Sequence, residues 1–192
     1  MKKIIIIAAM ALVSLAATAQ ETKLAYVDFN EVIMLMPEMD AARATLEENE
    51  MTQNEILQSM YEELQTKYQQ YQQKAESWTP AIRQSKEAEI TEIQARFEQT
   101  QQSFANEISQ LQQELQAPIV EKAQNAINEL AKAKGVAVVF EKSSMIYIDP
   151  AQCLDLTPEA RKNLNIPEGR TLETLQAEMM AKAQAAQAAQ AQ

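Results

Sequence analysis

Two long stretches of the chain repeat apolar residues with the spacing of an amphipathic helix. The first is free of glycine and proline from about residue 38 to residue 77, and its apolar residues recur at alternating steps of four and three. The second runs from about residue 81 to residue 134. The stripe residues are Leu57, Tyr61, Leu64, Tyr68 and Tyr71 in the first stretch, and Ile90, Ile93, Phe97, Phe104, Ile108, Leu111 and Leu115 in the second. Each stripe predicts one long helix with a single narrow apolar face.

A short break separates the two predicted helices at Thr79-Pro80, because a residue that precedes proline is disfavoured in helical geometry. Two such helices are most simply an antiparallel hairpin in which the stripes pack as a seam. Its tip lies near residues 77–80 and contains the single tryptophan, Trp78. Two interpretations stay open for Trp78. The ring closes the tip by packing on Ile82, or it is exposed and contacts a client or a membrane interface.

Three short runs of strand-forming residues flank the hairpin, at residues 23–29, 136–140 and 145–148. Asn30 is expected to cap a helical turn after the first run, and Gly135 to end the second long helix. So few strand residues do not make a stable sheet alone, so we expect other copies of the chain to complete it by pairing along exposed edges. The predicted oligomerisation residues are Leu24, Tyr26, Val27, Phe29, Val136, Val138, Phe140, Ile146 and Ile148.

These elements predict a mainly α protein with a small β body, in which a long antiparallel helical-hairpin arm is inserted between the strands of an oligomerising domain. The body comprises residues 20–37 and 135–168, and the arm comprises residues 38–134. Residues 169–192 are rich in alanine and glutamine and lack a periodic apolar face. We expect this tail to be a solvated, frayed extension.

The N-terminus has the three regions of a secretory signal peptide, predicted at residues 1–19. Lys2 and Lys3 precede an apolar run that is followed by the small residues Ala17-Thr18-Ala19. No later stretch approaches the roughly 20 apolar residues that a membrane-spanning helix requires. We therefore expect an exported chain. Its one cysteine, Cys153, is expected to be a small buried apolar residue.

The composition argues against an enzyme. The sequence has no histidine and only two glycines, which removes Cys/His zinc sites, Ser/His triads and glycine-rich phosphate loops. We predict no catalytic, metal-binding or cofactor-binding residue. Paired carboxylates of a glycosidase type stay open in principle, but the many glutamates of the predicted helices are better explained as a solvated face.

The charge of the chain limits its partners. Removal of Lys2 and Lys3 leaves 15 of the 17 basic residues against 27 acidic ones, a net charge near −12. Such a surface repels phosphate polyanions, so nucleic acid is not an expected partner.

The order of these segments resembles the Skp/OmpH family of periplasmic chaperones over about residues 22–166. The resemblance rests on Lys-Leu-Ala-Tyr-Val-Asp-Phe-Asn-Glu-Val-Ile from Lys23, the hairpin, Lys-Gly-Val-Ala-Val-Val-Phe-Glu-Lys from Lys134, then Ile-Tyr-Ile-Asp-Pro and Asp-Leu-Thr. It implies a homotrimer in the periplasm whose three arms enclose a cavity, and a holdase that keeps unfolded outer-membrane proteins from aggregating without ATP or a cofactor.

One departure from the family and one alternative bear on function. The best-known members of the family are basic, and the acidic charge of this chain argues against contact with lipopolysaccharide or anionic lipid. A second class of protein fits the same pattern: an exported coiled-coil scaffold or adaptor of the cell envelope. It would share the hairpin and the oligomeric body, so the residues alone separate the two poorly. A scaffold is expected to show a specific apolar docking patch or an anchor, and we find neither in the sequence, which favours the chaperone.

Overall fold

The computed structural model describes residues 22–190, so the predicted signal peptide lies outside the described residues. The elements are β1 (Lys23–Val27), α1 (Phe29–Leu35), α2 (Pro37–Lys74), a 3-10 turn (Ala75–Ser77), α3 (Pro80–Lys134), β2 (Val136–Glu141), a 3-10 turn (Lys142–Ser144), β3 (Cys153–Asp155), α4 (Thr157–Asn163) and α5 (Leu172–Gln190). The described chain is mostly helical with one small sheet, which confirms that part of the predicted fold class.

The sheet has the strand order β2-β1-β3, and both outer strands run parallel to β1. Ala25 pairs with Val139 on one side of β1, and Leu24 pairs with Cys153 on the other. Parallel neighbours require a long crossover connection, and α1, α2 and α3 together provide it between β1 and β2. Within the described chain, β2 and β3 each have only one neighbouring strand.

The predicted third strand at residues 145–148 is wrong. These residues form irregular chain, and the third strand is instead β3. Asp149 explains the difference, because its side chain accepts the N–H of Ala151 at 3.0 Å and its carbonyl accepts the N–H of Cys153 at 2.9 Å. Pro150 follows Asp149 and favours such a turn. After this turn the chain pairs with β1, so Ile146 and Ile148 lie before the strand and outside the sheet. Ile146 is fully exposed and Ile148 is half-buried.

The first strand is also shorter than predicted, since it ends at Val27 and Phe29 begins α1. Asp28, rather than Asn30, caps this helix by accepting the N–H of Glu31 at 3.0 Å. The N–H of Phe29 donates to the carboxylate of Glu141 at 3.0 Å instead of joining the sheet. The polar cap thus removes Phe29 from the strand.

Helices α2 and α3 pack against each other in opposite directions. Glu38 near the start of α2 pairs with Lys122 late in α3, and Glu63 pairs with Arg96 at 2.9 Å. The residue numbers rise on one helix as they fall on the other, which defines an antiparallel pair. We call residues 38–134 the arm.

Local signals set the ends of the arm helices. Pro37 and Pro80 occupy first-turn positions, where a missing N–H costs nothing, and Thr79 accepts the N–H of Ile82 at 3.4 Å. Helix α3 continues through Pro118. As predicted, Gly135 follows its last residue, in the left-handed region at φ 65°, and donates to carbonyls of the last turn.

The core lies where the root of the arm meets the body. It is small and draws on both the arm and the body, so neither is independent of the other. The buried members are Ala25, Val27, Val32, Leu35, Met36, Met39, Ala42, Ile119, Ala123, Ile127, Leu130, Leu156, Ala160, Leu164, Ile166 and Leu175.

The C-terminal tail is exposed over residues 176–188, as expected, but it is helical rather than frayed. Helix α5 spans Leu172–Gln190, and Leu175 in its first turn is only 4% exposed. The start of the helix is capped reciprocally, because Thr171 and Thr174 each accept the other's N–H, at 3.2 and 2.9 Å. Leu175 is the one residue of this helix that is buried among the described residues.

Candidate functional site

The seam of the arm is closed more tightly at its ends than in its middle. In α3, Ile90 and Ile93 are buried. The other predicted seam residues of α3 are half-buried, namely Phe97, Phe104, Ile108, Leu111 and Leu115. Three predicted seam residues of α2 are also half-buried, namely Leu57, Leu64 and Tyr71. The middle of the arm therefore has a thin apolar contact and broad exposed faces.

Two predicted seam residues, Tyr61 and Tyr68, lie outside the seam, with 51% and 41% of their surface exposed. Met60 and Lys67 are half-buried in their place. Both sets satisfy alternating steps of three and four from Leu57, so spacing alone does not distinguish them. The flexible side chain of Met60 and the aliphatic stem of Lys67 fill the seam, while the tyrosines remain outside.

Charge divides the arm into an acidic middle and a mixed tip. We call residues 44–66 and 97–121 the shaft, which contains no lysine or arginine. Its acidic residues are Glu47, Glu48, Glu50, Glu55, Glu62, Glu63, Glu98, Glu107, Glu114 and Glu121. Between them, residues 67–96 at the tip hold five basic and four acidic residues. A polyanion approaching the shaft therefore meets a surface of its own sign.

Trp78 is half-buried at the tip, and its ring meets the ring of Tyr71 edge-on at 5.9 Å between centroids. Lys67 and Ile90 line the same crevice as Trp78. Ile82, the expected packing partner, is 45% exposed. The half-buried tryptophan thus packs on Tyr71 of α2 and lies beside Ile90 of α3.

Replacement of Trp78 by alanine should loosen the tip without unfolding the arm. Loss of the edge-on aromatic pair removes about 1 kcal/mol of local stability. Amide hydrogen exchange over residues 71–90 should become about fivefold faster, as measured by mass spectrometry. Trp78→Phe is the control and should keep most of the protection. Lost client capture in Trp78→Ala with unchanged exchange would instead support the contact interpretation of Trp78.

An ion cluster ties the two helices together beside Trp78. The carboxylate of Glu89 accepts from Lys67 across the seam and from Lys86 at 2.6 Å, and these two hydrogen bonds lower its pKa from the ordinary value of 4.5 to about 2. The hydroxyl of Tyr71 donates to Glu87, which raises the pKa of Tyr71. Polar contacts thus supplement the apolar packing of Ile90 and Ile93 at this end of the arm.

The lowered pKa of Glu89 predicts an acid-sensitive tip. Its contribution to tip stability is complete above about pH 4.5 and is lost as the pH falls towards 2, because protonation breaks both lysine contacts. The fluorescence of Trp78, the sole tryptophan, should shift to the red over this interval. Glu89→Gln should show the shift at neutral pH, whereas Glu92→Gln at an exposed neighbouring position should behave as wild type. Identical pH profiles for all three proteins would contradict the prediction.

The body exposes apolar residues around the outer strands. Val138 on β2 and Leu154 on β3 are 44% and 42% exposed. Ile146 and Tyr147 are also exposed, in the segment of chain that connects β2 to β3. Of the predicted oligomerisation residues, Leu24, Tyr26, Val136 and Phe140 are half-buried, and Val27 is buried in the core of its own chain. Because β1 is paired on both sides, the free edges of the sheet in residues 22–190 are those of β2 and β3. Leu154 and Tyr147 were missed because the strand assignment was displaced.

No metal or membrane-spanning feature is found in residues 22–190. Within that part of the chain, no group of three or more acidic or cysteine side chains is placed to hold a metal ion. None of its helices combines the length and the apolar character needed to cross a membrane. Cys153 is half-buried in β3, more accessible than expected.

The described residues form a small three-stranded parallel sheet and, between β1 and β2, a long antiparallel pair of helices. The family model for outer membrane protein (OmpH-like) matches residues 23–164, from β1 through α4. The chain therefore belongs to the OmpH-like family, which confirms the resemblance. It is 26% identical over 165 residues to the chaperone protein Skp of Yersinia enterocolitica, an alignment that covers 85% of this chain and 99% of that relative.

Proposed function

We propose that this chain is a periplasmic, ATP-independent holdase that binds unfolded outer-membrane proteins between the arms of a homotrimer and prevents their aggregation. Family membership over residues 23–164 is the observation that carries the proposal. The arm supports it, because a helix of 55 residues extends about 80 Å and encloses a large space when several copies stand side by side. Export follows from the predicted signal peptide.

The client contacts are assigned to the exposed faces of the arm. Tyr61 and Tyr68 stand one heptad apart on the same side of α2, outside the seam. Met51 and Ile56 are exposed on other faces of the same helix. Such separate aromatic and apolar side chains, set among glutamine and serine, offer many weak contacts and no single pocket. An unfolded chain can slide among such contacts, and its own folding in the membrane supplies the free energy of release.

Assembly is assigned to the body. A free β edge invites pairing with another chain, and this body has two edges, on β2 and β3. When the β2 edge of one copy meets the β3 edge of the next, the contact is head-to-tail, and a ring closes the series without leaving an edge unpaired. The exposed apolar residues Val138, Ile146 and Leu154 are then buried between copies.

The acidic shaft restricts the partners further. The shaft has ten glutamates, of which Glu63 and Glu47 pair with Arg96 and Lys182 from outside it, and the rest repel nucleic acid, lipopolysaccharide and anionic lipid. Binding therefore rests on protein clients and on self-association. No residue is assigned a catalytic or cofactor-binding role. The alternative function, an envelope scaffold, shares the assembly but predicts no affinity for an unfolded chain.

Native mass spectrometry separates these two functions. The mature chain is measured alone and after dilution of a urea-unfolded outer-membrane barrel protein into it, with the same barrel already folded in detergent as the control. We expect a three-copy assembly that gains the unfolded client, and light scattering that shows suppressed aggregation. An assembly that ignores both forms of the barrel would overturn the chaperone proposal in favour of the scaffold.

A further inference from the structure

Two connections join the arm to the body: Met36, which precedes α2, and the root of α3, which lies in the shared core. Helix α1 belongs to the body and ends at Leu35, helix α2 begins the arm at Pro37, and Met36 alone separates them, in an extended conformation with ψ 139°. A rotation about Met36 would shift α2 against α1 and would also displace the root of α3 in the core. We call Met36 and its two neighbours the joint.

Helix α5 lies across this joint. Its Leu175 is buried in the core, and its first turns contact α1 on the body side. Just before α5, Arg170 donates to the carboxylate of Asp40 at 2.7 Å, on the arm side. The same carboxylate accepts from Arg43 at 2.7 Å, and Arg43 also donates to the carbonyl of Met34, at 2.7 Å. Both sides of the joint are therefore linked to one cluster of hydrogen bonds.

The body fixes the other end of this cluster. The guanidinium of Arg161 in α4 donates to Glu31 in α1 and to the backbone carbonyl of Arg170. The side chains of Arg161 and Arg170 are only 19% and 18% exposed, so water screens their pairs less than those of a surface lysine. Arg170 thus contacts α4 through its backbone carbonyl and Asp40 of the arm through its side chain.

A second link lies further along the arm, where Lys182 of α5 pairs with Glu47 of α2. The two links connect Arg170 to Asp40 and Lys182 to Glu47, so α5 runs in the same direction as α2, from the body up the arm. It remains beside α2 for about three turns beyond the joint, as far as Glu47.

We propose that α5 is a brace that holds the arm at a set angle on the body. The family match ends at residue 164, before this helix begins, so the brace is an addition to the matched region. The role of the brace rests on the proposed function: a fixed arm angle limits the width of the space between the arms of the trimer and favours clients of small cross-section. Release of the brace widens the space.

Hydrogen exchange of the client-free protein tests the brace directly. The double variant Arg170→Ala/Lys182→Ala removes both links and retains Leu175, whereas Lys162→Ala removes an exposed positive charge of the body as a control. In the double variant, amides of residues 36–43 should exchange about tenfold faster, while those of β1 and of residues 100–115 are unchanged. A chain that ends at Gly169 should show a larger effect at the joint.

The outcomes separate the brace from the chaperone proposal. If the amides of residues 36–43 exchange at the wild-type rate in the double variant, the brace is overturned, whether or not clients bind. If the chain that ends at Gly169 loses protection throughout the body, the test rests on the double variant instead. Faster exchange at the joint in the double variant supports the brace, whether or not a client is captured. A lack of client capture would count against the chaperone proposal and not against the brace. If the protein captures clients, the double variant should retain an unfolded 16-stranded barrel protein better than the wild type does. Its retention of an unfolded eight-stranded barrel protein should change less.

Discussion

Ile146→Asp should leave the single chain folded and abolish its assembly. Ile146 is fully exposed in the single chain, at 106%, so aspartate costs nothing there on its own. In the proposed ring the same position is buried between copies with Val138 and Leu154, and a buried unpaired carboxylate is strongly unfavourable. The apparent dissociation constant should rise about 100-fold or more, as measured by sedimentation velocity over a series of concentrations.

The control for this change is Met51→Asp, which places the same charge at a site that is 60% exposed on the arm. It should leave the assembly unchanged. Circular dichroism should show the same helix content for both variants. An Ile146→Asp protein that keeps the wild-type sedimentation coefficient at every concentration would show that this part of the body is not the interface. If assembly is needed for capture, Ile146→Asp should also fail to suppress client aggregation.

Leu35→Ala should lower the free energy of unfolding by about 2–5 kcal/mol. Leu35 is fully buried as the last residue of α1, in the core that holds the root of the arm on β1 and α4. Truncation leaves a cavity that the few surrounding side chains do not fill. Small domains are stable by only about 5–15 kcal/mol, so this loss is a large share of the total. Urea unfolding followed by circular dichroism should show a clearly lower midpoint.

Leu172→Ala provides a matched comparison, since the same atoms are removed from a leucine that is 39% exposed. Its midpoint should stay close to that of the wild type. Equal midpoints for the two variants would mean that the core around Leu35 does not limit stability. In that case the arm seam would be the main source of stability.

The ends of the arm could be predicted because each has a local cause. Pro37 and Pro80 lack an N–H and start helices at little cost, and Gly135 adopts the left-handed conformation that ends one. These preferences depend on the residue and its neighbours in sequence. The helix boundaries therefore follow from the chain without any knowledge of packing.

The side of α2 that faces α3 could not be predicted in the same way. Tyr61 and Tyr68 fit the helical repeat as well as Met60 and Lys67, and their apolar rings favoured them. The structure exposes the tyrosines, with the hydroxyl of Tyr68 accepting from Gln94 at 2.9 Å. Only the rotation of one helix against the other selects between two sets that differ by one position.

The candidate site was predicted in outline, as a seam, a tip with one tryptophan and a body with exposed edges. The ion cluster of Glu89, Lys67 and Lys86 was not found from sequence, because its members lie on two helices and charged residues are frequent along both. The joint cluster around Arg170 was missed for a similar reason, since its partner Asp40 is 130 residues away in the chain.

The sequence by itself determined the two arm helices and the break between them, the mainly polar arm, the acidic charge and the absence of histidine chemistry, because composition, periodicity and capping are local properties. Only the tertiary structure decided which stretch becomes the third strand and where the last helix docks. Cys153–Asp155 pairs with β1 because a turn at Asp149 brings it there, and α5 docks because Leu175 meets a core built from distant segments. Such choices depend on contacts between residues far apart in the chain, which no local pattern specifies.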